Sequence, residues 1–162
     1  MTGAWDLPAF VLLPLAGALL VAAAGRRPNL REAVTLVTAV TLALLVWARL
    51  PDLLAGERPA FRVGELLPGL ALEFRLEPLG MLFAALASLL WIVNSVYSIG
   101  YMRGNGEHHQ TRFYACFAIA IAATMGVACA ANLLTLFLFY EALTLSTYPL
   151  VAHKGDAATV AS

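Results

Sequence analysis

The sequence predicts an all-α fold, a polytopic transmembrane bundle of five helices, and three observations lead there. Apolar residues make up 61% of the chain and charged residues only 12%, where soluble domains carry about 25% charged residues. The apolar residues gather into five runs, 7–24, 33–49, 78–99, 113–131 and 132–152, each near the length of about 20 residues that crosses a bilayer as a helix. A single carboxylic acid, Glu141, stands close to the middle of the fifth run. The whole chain, 1–162, reads as one membrane domain.

The first run begins at Leu7 and ends just before Arg26 and Arg27. A signal peptide carries its positive charge before the apolar core. Here Asp6 precedes the core and the arginines follow it, so a retained helix with its N-terminus outside is the better reading. The second run, 33–49, is rich in Val, Leu and Thr and has Trp47 near one end as an interfacial anchor. The link before it, Gly25 to Glu32, holds three arginines against one glutamate.

The next link, Pro51 to Leu76, is the longest. It carries Pro51, Pro59 and Pro68 and charges of both signs. Within it, Phe61–Val63 and Leu70–Leu76 are short apolar pieces, the second alternating with polar residues, which predicts a small β-hairpin on the membrane surface.

In the third run, Ser88, Trp91, Ser95 and Ser98 recur at helical spacing. Small hydroxyl residues so placed let helix backbones approach closely, so packing is preferred to chemistry. The loop from Gly100 to Arg112 contains His108 and His109, but sequence neighbours do not share a helix face and no third ligand accompanies them. A solvated loop, with no metal site, is the expectation. The fourth run is Ala-rich, contains Gly126 and joins the fifth through a very short turn at Asn132.

Other chemistry is excluded on simple grounds. Ten basic and ten acidic residues cancel, leaving no electrostatic case for a nucleic-acid partner. Cys116 and Cys129 lie 13 positions apart in one helical run, about 20 Å along its axis and too far to pair. The chain has no glycine-rich dinucleotide motif and no cysteine cluster for iron–sulfur binding, so no cofactor is expected.

Glu141 carries the functional reading. A charged side chain at that depth costs roughly 2.5–3.5 kcal/mol on insertion scales and defaults to an ion or proton pathway. The bland alternative is an acid that hydrogen-bonds a neighbouring helix and only fixes packing. Thr144 and Tyr148 follow at i+3 and i+7, which puts them on the acid's side of the helix as accessory polar groups, although ordinary packing explains them as well. Orientation follows from the basic residues. With the N-terminus outside and the C-terminus cytoplasmic, Arg26, Arg27, Arg31, Arg103, Arg112 and Lys154 lie inside, and Arg49, Arg58, Arg62 and Arg75 outside.

The segments Tyr101–Met102–Arg103, Arg112–Phe113–Tyr114, Asn132–Leu133–Leu134 and Phe139–Tyr140–Glu141–Ala142–Leu143–Thr144–Leu145–Ser146–Thr147–Tyr148–Pro149–Leu150, with Arg75–Leu76–Glu77–Pro78–Leu79–Gly80–Met81–Leu82–Phe83 before them, carry a family resemblance. Together they resemble the proton-conducting transporter family. Its members are the antiporter-like membrane subunits of NADH–quinone oxidoreductase (complex I) and of Mrp-type cation/proton antiporters, with relatives linked to membrane-bound hydrogenases. By that resemblance the chain corresponds to the N-terminal part of a longer subunit, and Glu141 to the family's fifth-helix glutamate.

The family's glutamate pairs with a buried lysine on a later helix and takes part in moving protons. No basic residue lies in the interior of any of the five runs, so the counter-charge is expected from a missing C-terminal portion or from other membrane subunits. The resemblance implies a proton-translocating subunit coupled to NADH–quinone electron transfer, holding no redox centre itself. The alternatives are a Mrp-type subunit exchanging protons for a monovalent cation such as sodium, or a hydrogenase-linked homologue. Tyr140 stands before Glu141 where many complex I members have Trp, which leans toward those two branches. A structural membrane subunit without transport is the reading from another class.

Overall fold

The computed structural model describes residues 6–25, 27–67, 69–105 and 110–151. His108, His109, Arg26 and Lys154 lie outside the described residues. In chain order the elements are α1 (Asp6–Ala23), α2 (Pro28–Ala48), a short α3 (Leu50–Leu54), strands β1 (Ala60–Leu67) and β2 (Leu70–Arg75), α4 (Pro78–Gly104), α5 (Gln110–Ala128) and α6 (Leu133–Val151). Five of the helices, with α2 running on into α3, are long and apolar enough to cross a membrane. The chain is a multi-pass membrane protein.

Two helices run past the apolar stretches that predict them, and proline explains where they begin. Pro28 and Pro78 occupy the first turns of α2 and α4, where a missing N–H costs nothing. The residues before them, Arg27 and Glu77, are extended, as a residue preceding proline tends to be. Helix α2 therefore takes in Arg31 and Glu32, which the run at 33–49 leaves in a loop. Helix α4 has 27 residues and reaches about 40 Å, beyond the roughly 30 Å of a hydrocarbon core. Its last turn carries Arg103 out to headgroup level.

Helix α1 packs on α2 and α5, α2 on α4, and α4 on α5, closing a four-helix ring. The ring packs around an apolar core of Phe10, Leu42, Val46, Trp91 and Met125, with hydroxyl residues buried beside it and large apolar side chains also on its outer surface. Thr35, Thr38, Ser88, Ser95 and Ser98 are buried, while Leu19, Val37, Leu44, Leu82 and Val93 face outward. In lipid there is little gain from hiding leucine, so leucine and valine also face outward, and small and hydroxyl residues share the helix contacts. Three of these hydroxyls bond their own helix: Thr35 donates to the Arg31 carbonyl at 3.0 Å, Thr38 to the Val34 carbonyl at 2.7 Å and Ser88 to the Ala85 carbonyl at 2.8 Å. Gly17 marks the closest approach of α1 to α2, because a Cβ there would stand 2.6 Å from Thr38.

The hairpin forms where the alternation predicts it. Strands β1 and β2 are antiparallel, pairing from Ala60 with Arg75 to Leu67 with Leu70, with two register irregularities. It sits on one end of the bundle, tied to the turn between α5 and α6. The Arg75 N–H donates to the Cys129 carbonyl at 2.7 Å and the Ala131 N–H to the Glu73 carbonyl at 2.9 Å. The turn thus continues the hairpin's edge. The same end holds the start of α1, where Asp6 pairs with Arg49 at 2.8 Å.

Candidate functional site: a lone acid on the outer helix and a paired acid at the far end

Helix α6 stands outside the ring, against α5 and β2. Only 11% of its membrane span is buried, against 33–39% for the other four. Its contact with α5 is close because Gly126 faces the Phe139 ring, which leaves no room for a Cβ. Phe139 also meets Phe74 of the hairpin edge-on, with ring centroids 5.6 Å apart.

Glu141 lies near the midpoint of α6 and is exposed. It has no hydrogen bond or ion pair to another described residue. Thr144 and Tyr148 are exposed too, Tyr148 to 76%. Phe139 points at α5, and at about 100° per residue Glu141, Thr144 and Tyr148 fall about 200°, 140° and 180° around the axis from it. All three occupy the side turned away from the ring. The Thr144 hydroxyl donates to the Tyr140 carbonyl at 3.0 Å, inside its own helix, and its lone pairs stay open. What this face offers is an acid flanked by a hydroxyl and a phenol, directed out of the described bundle.

A second charged group lies at the end of the ring opposite the hairpin. Glu32, in the second turn of α2, is 5% exposed. Arg103 of α4 grips both its oxygens, Nε to Oε1 at 3.1 Å and Nη2 to Oε2 at 2.5 Å. Arg103 also donates to Asn29 at 2.6 Å. Arg31, 4% exposed, donates to Gln110 at 2.6 Å and Thr111 at 3.1 Å on α5. It lies 3.9 Å from Glu32 and holds its guanidinium 5.3 Å from the centre of the Tyr114 ring. Thr111 in turn donates to the Gly25 carbonyl at 3.3 Å, so the turn after α1 is tied in as well. This knot joins α2, α4 and α5.

Hydropathy places none of these charges in a helix. The signal available in the sequence is Pro28, which opens a helix early enough to enclose Arg31 and Glu32.

No protein-family model matches the chain. Over 110 residues, 68% of its length, it is 29% identical to NADH-quinone oxidoreductase subunit N of Desulforudis audaxviator, of which that stretch is 22%. Over 84 residues, 52% of its length, it is 31% identical to Na(+)/H(+) antiporter subunit A1 of Staphylococcus aureus, of which that stretch is 10%. The chain thus spans about a fifth or less of these curated relatives. The fold is similar to a chain of the Mrp complex from Dietzia sp. DQ12-45-1b, with a TM-score of 0.77 and 24% identity over 93% of this chain and 27% of that one.

Proposed function

We propose that this chain is part of an antiporter-like membrane subunit that takes part in proton translocation coupled to NADH–quinone electron transfer, with Glu141 as its proton-relaying acid. One observation carries the reading: the carboxyl stands near the middle of the apolar span of the least covered helix, facing away from its own bundle, without a partner among the described residues. An acid so placed needs a counter-charge or a proton. A basic side chain on a further helix, supplied by more of this polypeptide or by another membrane subunit, fits both needs. As that charge approaches and withdraws, Glu141 releases a proton and takes one up. Thr144 and Tyr148 offer oxygens that can hold water beside it.

The test is Glu141→Gln in the assembled complex. The amide keeps the shape and cannot ionise, so assembly is expected to persist while proton pumping falls sharply. Undiminished pumping in that variant would sink the relay and favour a purely structural subunit.

A second reading is a Mrp-type monovalent cation/proton antiporter subunit, supported by the likeness to a Na(+)/H(+) antiporter subunit and to the Mrp fold. Proton movement driven by an imposed sodium gradient in vesicles, without quinone turnover, would favour it. Movement that requires NADH oxidation would favour the first.

In either case we place the protein in the cell (inner) membrane with its N-terminus outside and its C-terminus cytoplasmic. The support is the bias of basic residues, six against four, toward the cytoplasmic side of that arrangement. A cysteine at Asn105 should then react with an impermeant reagent only from the cytoplasmic side, and one at Gly56 only from outside. The reverse pattern inverts the topology.

A further inference from the structure

Helix α6 packs along one side on α5 and at one end on the hairpin, and its other side is open. Lipid tails are as apolar as leucine, so burial does not press a transmembrane helix onto its neighbours, and specific contacts must set its rotation and depth. In α6 the polar ones gather at one end and on one side. The Asn132 side chain works in both directions. Its Oδ1 accepts the Thr135 N–H at 2.8 Å, capping the first turn of α6, and its Nδ2 donates to the Ala71 carbonyl of β2 at 2.8 Å. Thr135, with no exposed surface, accepts the Glu73 N–H at 3.0 Å through its Oγ1. One turn further on, Phe139 lies between Phe74 of the hairpin and Gly126 of α5.

Asn132, Thr135 and Phe139 therefore tie α6 to the hairpin along a single side. Helix geometry then sets where Glu141 goes: about 14 Å from Asn132 along the axis and roughly opposite Phe139 around it. A helix anchored on one side and bare on the other can roll about its axis if the anchor fails.

We infer that Asn132 and Thr135 are positioning residues for Glu141, and that the β-hairpin is the part of the fold they grip to hold the acid at its depth and facing outward. Neither residue touches Glu141; both act through the rotation of α6. The inference rests on the reading of Glu141 as a relay.

The experiment uses the assembled complex with spin labels at Leu145 on α6 and Val37 on α2, both outward-facing. Pulsed resonance gives the distance between them, and transport is measured on the same variants. Thr135→Val keeps the side chain's volume and loses the oxygen. It is expected to broaden the distance distribution and lower transport on the order of tenfold, since small misplacements of a reacting group carry losses of that size. Thr135→Ser should restore both. Asn132→Asp keeps the helix cap and loses the donor to Ala71, so it should broaden the distribution even if Thr135→Val fails to assemble. Glu141→Gln should abolish transport with the distribution still narrow.

A narrow distribution in both Thr135→Val and Asn132→Asp overturns the positioning role. A broad distribution with full transport overturns it as well, since rotation then has no consequence. Wild-type transport by Glu141→Gln refutes the relay itself, while the distances still report whether the hairpin grips α6.

Discussion

Two glutamates in this chain face the same physical problem and meet it differently. Glu32 is buried near the start of α2, and Arg103 holds both its carboxylate oxygens. Glu141 is near the middle of α6, exposed, with no ion partner among the described residues. A carboxylate held by a bidentate guanidinium is fixed in place. That of Glu32 ties α2 to α4. A carboxyl without a fixed partner remains responsive to whatever charge approaches it. The contrast separates an acid that completes the fold from one that leaves an interaction open.

The sharpest way to break this comparison is to neutralise each acid in turn. Glu141→Gln is expected to remove transport and leave the thermal stability of the purified complex nearly unchanged. Glu32→Gln should do the reverse. It leaves the buried Arg31 and the half-exposed Arg103 without their carboxylate, at a cost of about 1–3 kcal/mol in stability, with transport per assembled complex retained. If Glu32→Gln abolished transport at full stability, the far-end knot would belong to the proton path and the two acids would not differ in kind.

A smaller effect is expected at the contact that seats α6. In Gly126→Ala the new methyl runs into the Phe139 ring, and overpacking of this sort costs roughly 1–3 kcal/mol. Combining it with Phe139→Leu should recover most of the loss, because the smaller side chain makes space. Thermal denaturation of both variants tests this. No recovery in the double variant would place the strain elsewhere than between α5 and α6.

The smallest effects are expected on the acid's own face. The Thr144 hydroxyl already donates inside its helix, and Tyr148 is largely exposed. Thr144→Val and Tyr148→Phe should each keep transport within about twofold of wild type if they only support water near the acid. A loss as deep as that of Glu141→Gln in either one would make that side chain a relay group in its own right.

The sequence by itself determined the number of helices long and apolar enough to cross a membrane, the hairpin within the long loop and the presence of one acid near the middle of the last apolar run. Hydropathy is a local sum, and in a bilayer it decides whether a stretch of about 20 residues crosses. Alternation in Leu70–Leu76 is likewise local, and β2 forms there as Leu70–Arg75. The helix boundaries were also partly legible, since Pro28 and Pro78 start α2 and α4 by a rule confined to one turn.

Only the tertiary structure decided which acid is paired. Glu32 and Arg103 are 71 positions apart, and nothing in either neighbourhood points to the other. It also decided that Asn132 and Thr135 join α6 to the hairpin across about 60 positions of chain. The direction in which Glu141 faces follows from that. A helix's apolar content says that it enters the bilayer. Its rotation there is set by a few hydrogen bonds and one close aromatic contact between distant segments, which only the packed chain brings together.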